Sequence, residues 1–222
     1  MTKKISTKYT SDNFDEFQPG SRKKVLKNKL GITKVREIKE AEFRGYLDTE
    51  KKLIKLFTSG QKFKLSDIHF INKLFLGNLY DWAGNIRTVN LSKGNFIFAT
   101  TFALIKLLPD FEKNILAENT PCSGKDLNEI AFKIAKVHDE FLLLHPYREG
   151  NGRTARLFAT IMAYQAGLSG LDFSFIKNRG KQFESYISAI HEGMKQNYIP
   201  MQKIILKAIK LSIGKDQKQN TI

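Results

Sequence analysis

Apolar residues recur every three or four positions along most of the chain, which is the spacing of amphipathic helices. The pattern begins at Thr33, resumes at Glu50, and runs again from the N-cap candidate Ser66 to about Tyr80. Further helices are predicted over residues 101–116, 126–144, 152–166 and 183–211. The last of them is expected to be broken at Pro200. The expected fold class is therefore all-α, with the helices packed as a bundle.

Residues 84–99 depart from the helical pattern. Two short β-prone runs, 86–91 and 96–98, flank a turn-forming segment at 92–95. We expect a small β-hairpin here, the one hairpin that the pattern predicts.

The pattern also divides the chain into parts. Residues 1–21 are polar and contain Pro19-Gly20, which indicates an N-terminal extension. Residues 22–65 are expected to form a helical part packed on the core, residues 66–211 the main domain, and residues 212–222 a polar, frayed tail. The length of 222 residues and the hydrophobic content of 41% suit one domain with a substantial core.

Net charge is +15, from 37 Lys and Arg against 22 Asp and Glu, so the surface attracts phosphates, nucleic acids or acidic proteins. The lysines are scattered, which indicates a dedicated nucleic-acid surface only weakly. No segment has the roughly 20 apolar residues of a membrane span, and the N-terminus has no apolar signal core. We expect a cytoplasmic protein without a membrane partner, and the sequence leaves export or delivery to a host cell open. The single cysteine, Cys122, excludes an internal disulfide.

The densest polar chemistry lies at residues 144–156, Leu-His-Pro-Tyr-Arg-Glu-Gly-Asn-Gly-Arg-Thr-Ala-Arg. Pro146 disfavours helical backbone in its predecessor, so the preceding helix is expected to end at His145. The turn Gly150-Asn151-Gly152 is expected to precede a new helix, so that its backbone N–H groups meet the positive end of that helix. This arrangement predicts an anion cradle suited to phosphates, with His145 as a candidate base beside it.

Arg153 and Arg156 fall at the start of that helix, where cations are unfavourable unless an anion is bound. Glu149 is the one carboxylate of the loop, and a carboxylate beside phosphates usually holds Mg²⁺ together with phosphate oxygens. Each feature alone has an ordinary structural interpretation, such as a capped histidine, a turn or a solvated face. Their combination within twelve residues favours a catalytic site, because it supplies a base, a metal ligand, a phosphate cradle and two arginines.

This loop resembles the signature of the Fic family, H-x-F-x-[D/E]-G-N-G-R-x-x-R, with every functional position filled. Tyr147 departs from the pattern, which has phenylalanine there, so its hydroxyl needs a partner or a route to the surface. Residues 28–33, 67–84 and 92–94 also resemble segments of Fic proteins of the cell-filamentation type. The resemblance covers most of residues 22–211 and implies a Fic-type helical bundle in which the hairpin is a flap.

The resemblance further implies a protein adenylyltransferase, which moves AMP from ATP to a Ser, Thr or Tyr hydroxyl of a target protein and releases pyrophosphate. His145 would be the catalytic base and Glu149 the ligand of Mg²⁺. The residues that would contact the nucleotide in and beyond the loop are Arg148, Gly150, Asn151, Gly152, Arg153, Arg156 and, on the adenine side, Tyr186. The flap residues that would border the nucleotide and pin the target are Lys93, Gly94, Asn95 and Phe96. The other histidines, His69, His138 and His191, are interpreted as structural.

Fic enzymes are commonly silenced by a helix with the motif [S/T]-x-x-x-E-[G/N]. Residues 188–193, which contain Ser188 and Glu192, match its letters but also fit a late helix of the domain itself. A second stretch, Thr33 to Glu37, lacks the final Gly or Asn. The sequence therefore leaves open whether Glu192 is inhibitory or whether a separate small antitoxin supplies the helix, with this chain as the toxin.

Two other functions stay open. A Fic-fold enzyme can transfer another phosphate-containing group, such as a phosphoryl group, UMP or phosphocholine, although the complete Gly-Asn-Gly-Arg element favours AMP. Alternatively, the loop of a basic nucleic-acid-binding module would only hold backbone phosphates.

Overall fold

The computed structural model describes residues 16–56, 60–93, 96–177 and 180–219. Its helices are α1 (Val35–Leu56), α2 (Leu65–Leu76), α3 (Thr101–Phe111), α4 (Ala117–Asn119), α5 (Leu127–Leu144), α6 (Asn151–Gln165), α7 (Lys181–Gly193) and α8 (Ile199–Gln219). Strands β1 (Ser92–Lys93) and β2 (Phe96–Ile97) pair antiparallel, with Ser92 opposite Ile97 and Lys93 opposite Phe96. The predicted all-α bundle with a small hairpin is confirmed for the described residues.

Helix α5 forms the centre of the bundle. It packs against α8, α6, α7 and α3, while α2 packs against α1 and α6. The Asp126 side chain caps α5 by accepting the backbone N–H groups of Asn128 and Glu129. Apolar residues at helical spacing along α5 are almost fully buried, among them Ile134 and Phe141. Each such side chain contributes about 1.5–3 kcal/mol, so α5 and its neighbours give the loop between α5 and α6 a rigid frame.

Helix α1 is longer than the apolar pattern predicts. The runs from Thr33 and Glu50 belong to one continuous helix, Val35–Leu56. Gly45 lies in its middle, and a Cβ atom there would lie 2.6 Å from the carbonyl oxygen of Phe75. The absence of a side chain thus lets α1 approach α2 closely. Helix α1 also packs against α6.

Residues 101–116 are helical, as predicted, but the helix is not regular. Pro109 lies inside α3, where it has no N–H to donate to the preceding turn. A wide π-helical turn, Glu112–Leu116, follows before α4. The apolar spacing gives no sign of this change, because Leu104, Leu108 and Phe111 stay buried on one face.

The break between the last two helices lies at residues 194–198, just before the predicted position. Pro200 falls in the first turn of α8, where backbone N–H groups have no partner within the helix. Helix α8 then continues to Gln219, past residue 211, where the apolar pattern ends. The hairpin, by contrast, is shorter than the pattern predicts, because residues 86–91 form no strand and β1 has only two residues.

The N-terminal segment reaches the domain before α1 begins. Phe17 and Leu26 form an isolated antiparallel bridge, which folds residues 17–26 back on themselves. Residues 1–15 of the predicted extension lie outside the described residues. Within the described part of the chain, no helix combines the length and apolarity that crossing a bilayer requires.

Candidate active site

The predicted base lies at the end of α5. His145 has φ 50° and ψ 54°, a left-handed conformation that terminates the helix as Pro146 requires. Its ring Nδ1 lies 3.1 Å from the carbonyl oxygen of Leu142. Because a carbonyl can only accept, Nδ1 carries the proton, and the lone pair of the neutral ring is on Nε2. The His145 ring therefore has the tautomer that a general base needs.

Two residues outside the signature hold His145 in place. The ring of Phe98 stacks on the imidazole, with 3.8 Å between the ring centroids and 21° between the planes. The Nε atom of Arg87 donates to the carbonyl oxygen of His145 at 2.8 Å, and the backbone N–H of Arg87 donates to Pro146 at 2.8 Å. Sequence reasoning missed both residues, because neither has a local signal that points to a partner so far along the chain.

The turn after His145 is fixed by its asparagine. The Asn151 side chain accepts the N–H of Tyr147 at 2.8 Å and donates to the carbonyl of Tyr147 at 2.7 Å. Gly150 has φ +83°, and a Cβ atom there would lie 2.8 Å from Leu76. By contrast, a Cβ atom on Gly152 would meet no atom within 4 Å. The backbone at the start of α6 is therefore open on one side, as a phosphate cradle requires.

Tyr147 finds the partner that its hydroxyl needs. The side chain is fully buried, and its hydroxyl lies 2.9 Å from Nδ1 of His69 on α2. Burial raises the pKa of Tyr147 well above its ordinary value, so the phenol stays neutral. The same hydrogen bond supports the structural interpretation of His69.

Arg153 lies between two carboxylates. Its Nη2 atom is 2.8 Å from Glu42 on α1 and 3.4 Å from Glu149. The guanidinium also lies over the ring of Phe75, 4.9 Å from its centroid. Glu42 accepts a hydrogen bond from the hydroxyl of Tyr80 at 2.7 Å. Sequence reasoning missed Glu42, which neutralises the first of the two arginines from a distant helix.

Arg156 has different surroundings. Its Nε atom is buried and has no hydrogen-bond partner among the described residues. Burial raises the pKa of Tyr46 to about 12, and the charges of Arg156 and Arg153 both oppose that rise. The charges of both arginines thus act on the same residue of α1.

Glu149 lies at the foot of the cradle. Its Oε1 atom accepts the N–H of Gly150 at 2.8 Å, and the residue is 8% exposed. The described residues contain no group of three or more His, Cys, Asp or Glu side chains able to hold a metal ion. A magnesium ion beside Glu149 would thus take most of its ligands from phosphates and water, which is how Mg²⁺ commonly binds in nucleotide sites.

The hairpin lies next to α7. Lys93 places its amino group 5.6 Å from the centroid of the Phe183 ring, and Phe96 stacks on His191 with 5.2 Å between centroids. The predicted flap residues Gly94 and Asn95 lie outside the described residues.

Two other residues that are predicted to contact the nucleotide, Arg148 and Tyr186, form hydrogen bonds with other parts of the protein. Arg148 is paired with Glu16 of the N-terminal segment through Nε at 2.8 Å and Nη2 at 2.7 Å. Tyr186 is 6% exposed, and its hydroxyl lies 2.7 Å from Nε2 of His138 in the core. Burial, and secondarily Arg156, lowers the pKa of His138 to about 3, so this histidine stays neutral. These contacts favour structural roles for both residues.

The glutamate of the inhibitory-motif candidate is paired with neighbouring residues at the end of α7. The Glu192 carboxylate pairs with Lys195 at 2.7 Å and accepts from the Asn197 side chain at 3.1 Å. Gly193 packs on α5, and a Cβ atom there would lie 3.0 Å from Cβ of Asp139. The need for close packing thus explains the glycine without an inhibitory role. Glu37, in the second stretch, pairs with Lys34 at the surface.

With this geometry established, comparison with known proteins identifies the class of protein. Residues 62–163 match the Fic/DOC family. They contain the complete signature, and the helices around it have the arrangement seen in solved Fic domains. Residues 62–163 are therefore a Fic domain.

Individual relatives agree with this assignment. The chain is 34% identical over 143 residues to the protein adenylyltransferase VbhT of Bartonella schoenbuchensis, an alignment that covers 64% of this chain and 30% of that protein. It is 25% identical over 204 residues to a Salmonella typhimurium protein named probable protein adenylyltransferase Fic, covering 90% of this chain and 96% of that one. A solved Fic domain of a VirB-translocated effector from Bartonella quintana, with bound ADP, is 25% identical, has a TM-score of 0.66, and covers 82% and 89% of the two chains.

Proposed function

We propose that this protein is an adenylyltransferase, which transfers AMP from ATP to a hydroxyl side chain of a protein and releases pyrophosphate. The observation that carries the proposal is that one loop joins His145, whose Nδ1 donates to a backbone carbonyl, to the open first turn of α6 and to the unpartnered Nε of Arg156. Relatives named as protein adenylyltransferases and a Fic domain solved with bound ADP support the same reaction.

His145 acts as the base in this proposal. Its Nε2 lone pair accepts the proton of the incoming hydroxyl while that oxygen attacks the α-phosphorus, and the bond from the α-phosphorus to the bridging oxygen breaks. Three contacts, to Leu142, Arg87 and Phe98, hold the imidazole in one orientation. Orientation of this kind lowers the barrier, because the reacting atoms are already near their attack geometry.

The start of α6 binds the phosphates. The anion would bind at the open side of Gly152, where the helix dipole adds a positive potential. Arg156 supplies the cation for an outer phosphate, since no described carboxylate neutralises it. Glu149 would hold Mg²⁺, which would neutralise charge on the leaving pyrophosphate.

The transferred group can be identified with ATP labelled separately at the α and γ positions. Wild-type protein should incorporate the α label and not the γ label, with Mg²⁺ present. His145→Ala should reduce α-label transfer by about 10²- to 10⁴-fold, which is the usual contribution of a general base. Thermal unfolding of His145→Ala, measured in parallel, separates loss of the base from loss of the fold.

Other outcomes of the same labelling experiment point to the other functions. Transfer of the γ label would indicate a phosphoryl transferase. No transfer of either label, combined with salt-sensitive DNA binding that survives His145→Ala, would indicate a nucleic-acid-binding module. Repeating the assay with UTP or CDP-choline tests transfer of UMP or phosphocholine.

Control by a separate small protein, with this chain as a toxin, is a further part of the proposal. The contacts of Glu192 with Lys195 and Asn197 support it, because they keep that carboxylate at the end of α7. We expect Glu192→Ala to leave the rate of self-modification within about twofold of wild type, a difference worth roughly 0.4 kcal/mol. A rise of tenfold or more would show instead that Glu192 is an internal inhibitor.

A further inference from the structure

Arg87 occupies an unusual position for a buried cation. The residue is 4% exposed, and its guanidinium donates to three backbone carbonyl groups, those of His145, Val89 and Ala99. Burial lowers the pKa of Arg87 to about 10, which leaves it charged at neutral pH. Buried arginines are usually paired with carboxylates, so three carbonyl partners suggest that geometry, more than charge pairing, is the purpose of this side chain.

The three carbonyls belong to three different segments. Val89 lies before β1 and Ala99 after β2, so Arg87 binds the chain where it enters and where it leaves the hairpin. The third carbonyl belongs to His145 at the end of α5, 2.8 Å from Nε of Arg87. Since a guanidinium is planar and its donors are fixed relative to one another, binding all three sets the distance from the hairpin to His145.

The stacked ring depends on this distance. Phe98 directly precedes Ala99, and its ring lies on the imidazole of His145 at 3.8 Å. Its backbone N–H also bonds to the carbonyl of Leu91, which closes the base of the hairpin. A hairpin displaced from α5 by one ångström or more would therefore separate the two rings.

We propose that Arg87 is a positioning residue that couples the hairpin to the catalytic base, by holding Phe98 on the imidazole of His145. This role rests on the proposed adenylyl transfer, because His145 is the base of that reaction. Neither Arg87 nor Phe98 contacts the transferred phosphate in this account; both act through the orientation of one ring.

The first test is spectroscopic. Stacking on Phe98 shifts the ring proton signals of His145 upfield in proton NMR spectra, and these signals are assigned as the ones absent from His145→Ala. Phe98→Leu should remove the shift, and Arg87→Gln should remove it as well although Phe98 is still present. Arg44→Gln, which changes an exposed arginine of α1, is the matched control and should leave the signals in place.

The second test is kinetic, with self-modification by α-labelled ATP. Arg87→Gln and Phe98→Leu should each lower the rate at saturating ATP by about 10- to 100-fold, because a small misplacement of the base is costly. The ATP concentration for half-maximal rate should stay within about twofold, which a general loss of structure would not produce. The double variant should be no slower than the slower single variant, because both changes remove the same arrangement.

Several results would overturn the proposal. One is that His145 in Arg87→Gln keeps the upfield-shifted signals of wild type together with a full rate. The others are rate losses that multiply in the double variant and an unchanged rate in Phe98→Leu. If Arg87→Gln does not fold, Arg87→Lys keeps the charge without the planar fork and takes its place. Phe98 is only half-buried, so Phe98→Leu is expected to fold, and an unchanged rate in this variant overturns the proposal even if both Arg87 variants fail to fold. Absence of AMP transfer by wild-type protein would contradict the proposed function instead, and the NMR comparison would still test Arg87.

Discussion

Arg153 and Arg156 lie one turn apart on α6, and the protein surrounds them in opposite ways. Arg153 is paired with Glu42 and Glu149 and lies over the ring of Phe75. Arg156 has a buried Nε atom without a hydrogen-bond partner, and none of the described residues forms an ion pair with it. Both belong to the same signature, so their sequence positions alone do not distinguish them.

This difference in surroundings gives Arg153 a structural role and leaves Arg156 to bind an anion. The charge of Arg153 is already neutralised, and its pairing with Glu42 fixes the start of α6 against α1. A buried donor without a partner is uncommon in folded proteins and is costly unless something else satisfies it. Arg156 is therefore the arginine that is available to bind an anion, and Arg153 contributes to the fold as well as to any contact with phosphate.

Of the two arginines, Arg156 is expected to give the larger effect on catalysis when it is changed to Gln. We expect AMP transfer to fall by about 10²- to 10³-fold, as when one stabilising donor is removed from an active site. The midpoint of thermal unfolding should change little, because no described protein partner is lost. Kinetics of label transfer and calorimetry on the same sample test this pair of outcomes. A large loss of stability in Arg156→Gln would contradict the contrast between the arginines.

Arg153→Gln should mainly affect stability. Removal of the guanidinium leaves Glu42 as a buried carboxylate beside Tyr80, which we expect to cost about 2–3 kcal/mol, less than for a fully buried pair. Urea unfolding measures the change directly, and Arg156→Gln serves as the control, with an expected change below about 0.5 kcal/mol. Equal stability of the two variants would show that the Glu42 pair does not stabilise the fold.

The site shows how far sequence reasoning extends. The end of α5 at His145 was predictable, because Pro146 restricts its predecessor locally, and the turn at Gly150 follows from residue types that tolerate left-handed backbone. The partners of these residues were not predictable. Glu42 and Arg87 reach the loop from helices and segments far away in the chain, and only packing brings them together.

The same limit applies to the fold. Helical periodicity identified the main helices because burial of one face depends on spacing alone. It did not identify the π-helical turn after Pro109, which changes hydrogen bonding without changing the buried face. It also does not show that the hydroxyl of Tyr186, which is predicted to contact the nucleotide, meets His138 inside the core.

Asp139, like Arg156, has buried polar atoms without a partner among the described residues, but a carboxylate can lose its charge by binding a proton. Neither of its carboxylate oxygens has a partner in the described structure, and burial, with a smaller effect of Glu140, raises its pKa to about 8. The unfolded chain releases this proton near pH 4, so the raised pKa lowers stability progressively as the pH rises from about 4 to 8.

Asp139→Asn should therefore stabilise the protein most at pH 8 and little at pH 4. The expected rise in the midpoint of thermal unfolding is about 2–4 °C for each kcal/mol recovered. Unfolding curves for wild type and variant across this pH range provide the measurement. A difference that does not depend on pH would show that Asp139 titrates normally in the folded protein.

The smallest effect is expected at Tyr147, whose hydroxyl bonds to His69. Tyr147→Phe restores the residue usual in the family signature and should cost about 1 kcal/mol or less, since half-buried His69 can bond to water instead. His69→Leu should cost more, because it leaves the buried hydroxyl without a partner. Combining the two changes should recover part of that loss in urea unfolding, and strict additivity would contradict the pairing.

The central claim is that the loop between α5 and α6 transfers AMP with His145 as its base. Mass spectrometry of the protein after incubation with ATP and Mg²⁺ tests it most directly. We predict an adenylyl group on a Ser, Thr or Tyr side chain in the wild-type protein and none in folded His145→Ala. Equal modification of both proteins, or a phosphoryl group in place of the adenylyl group, would contradict the account.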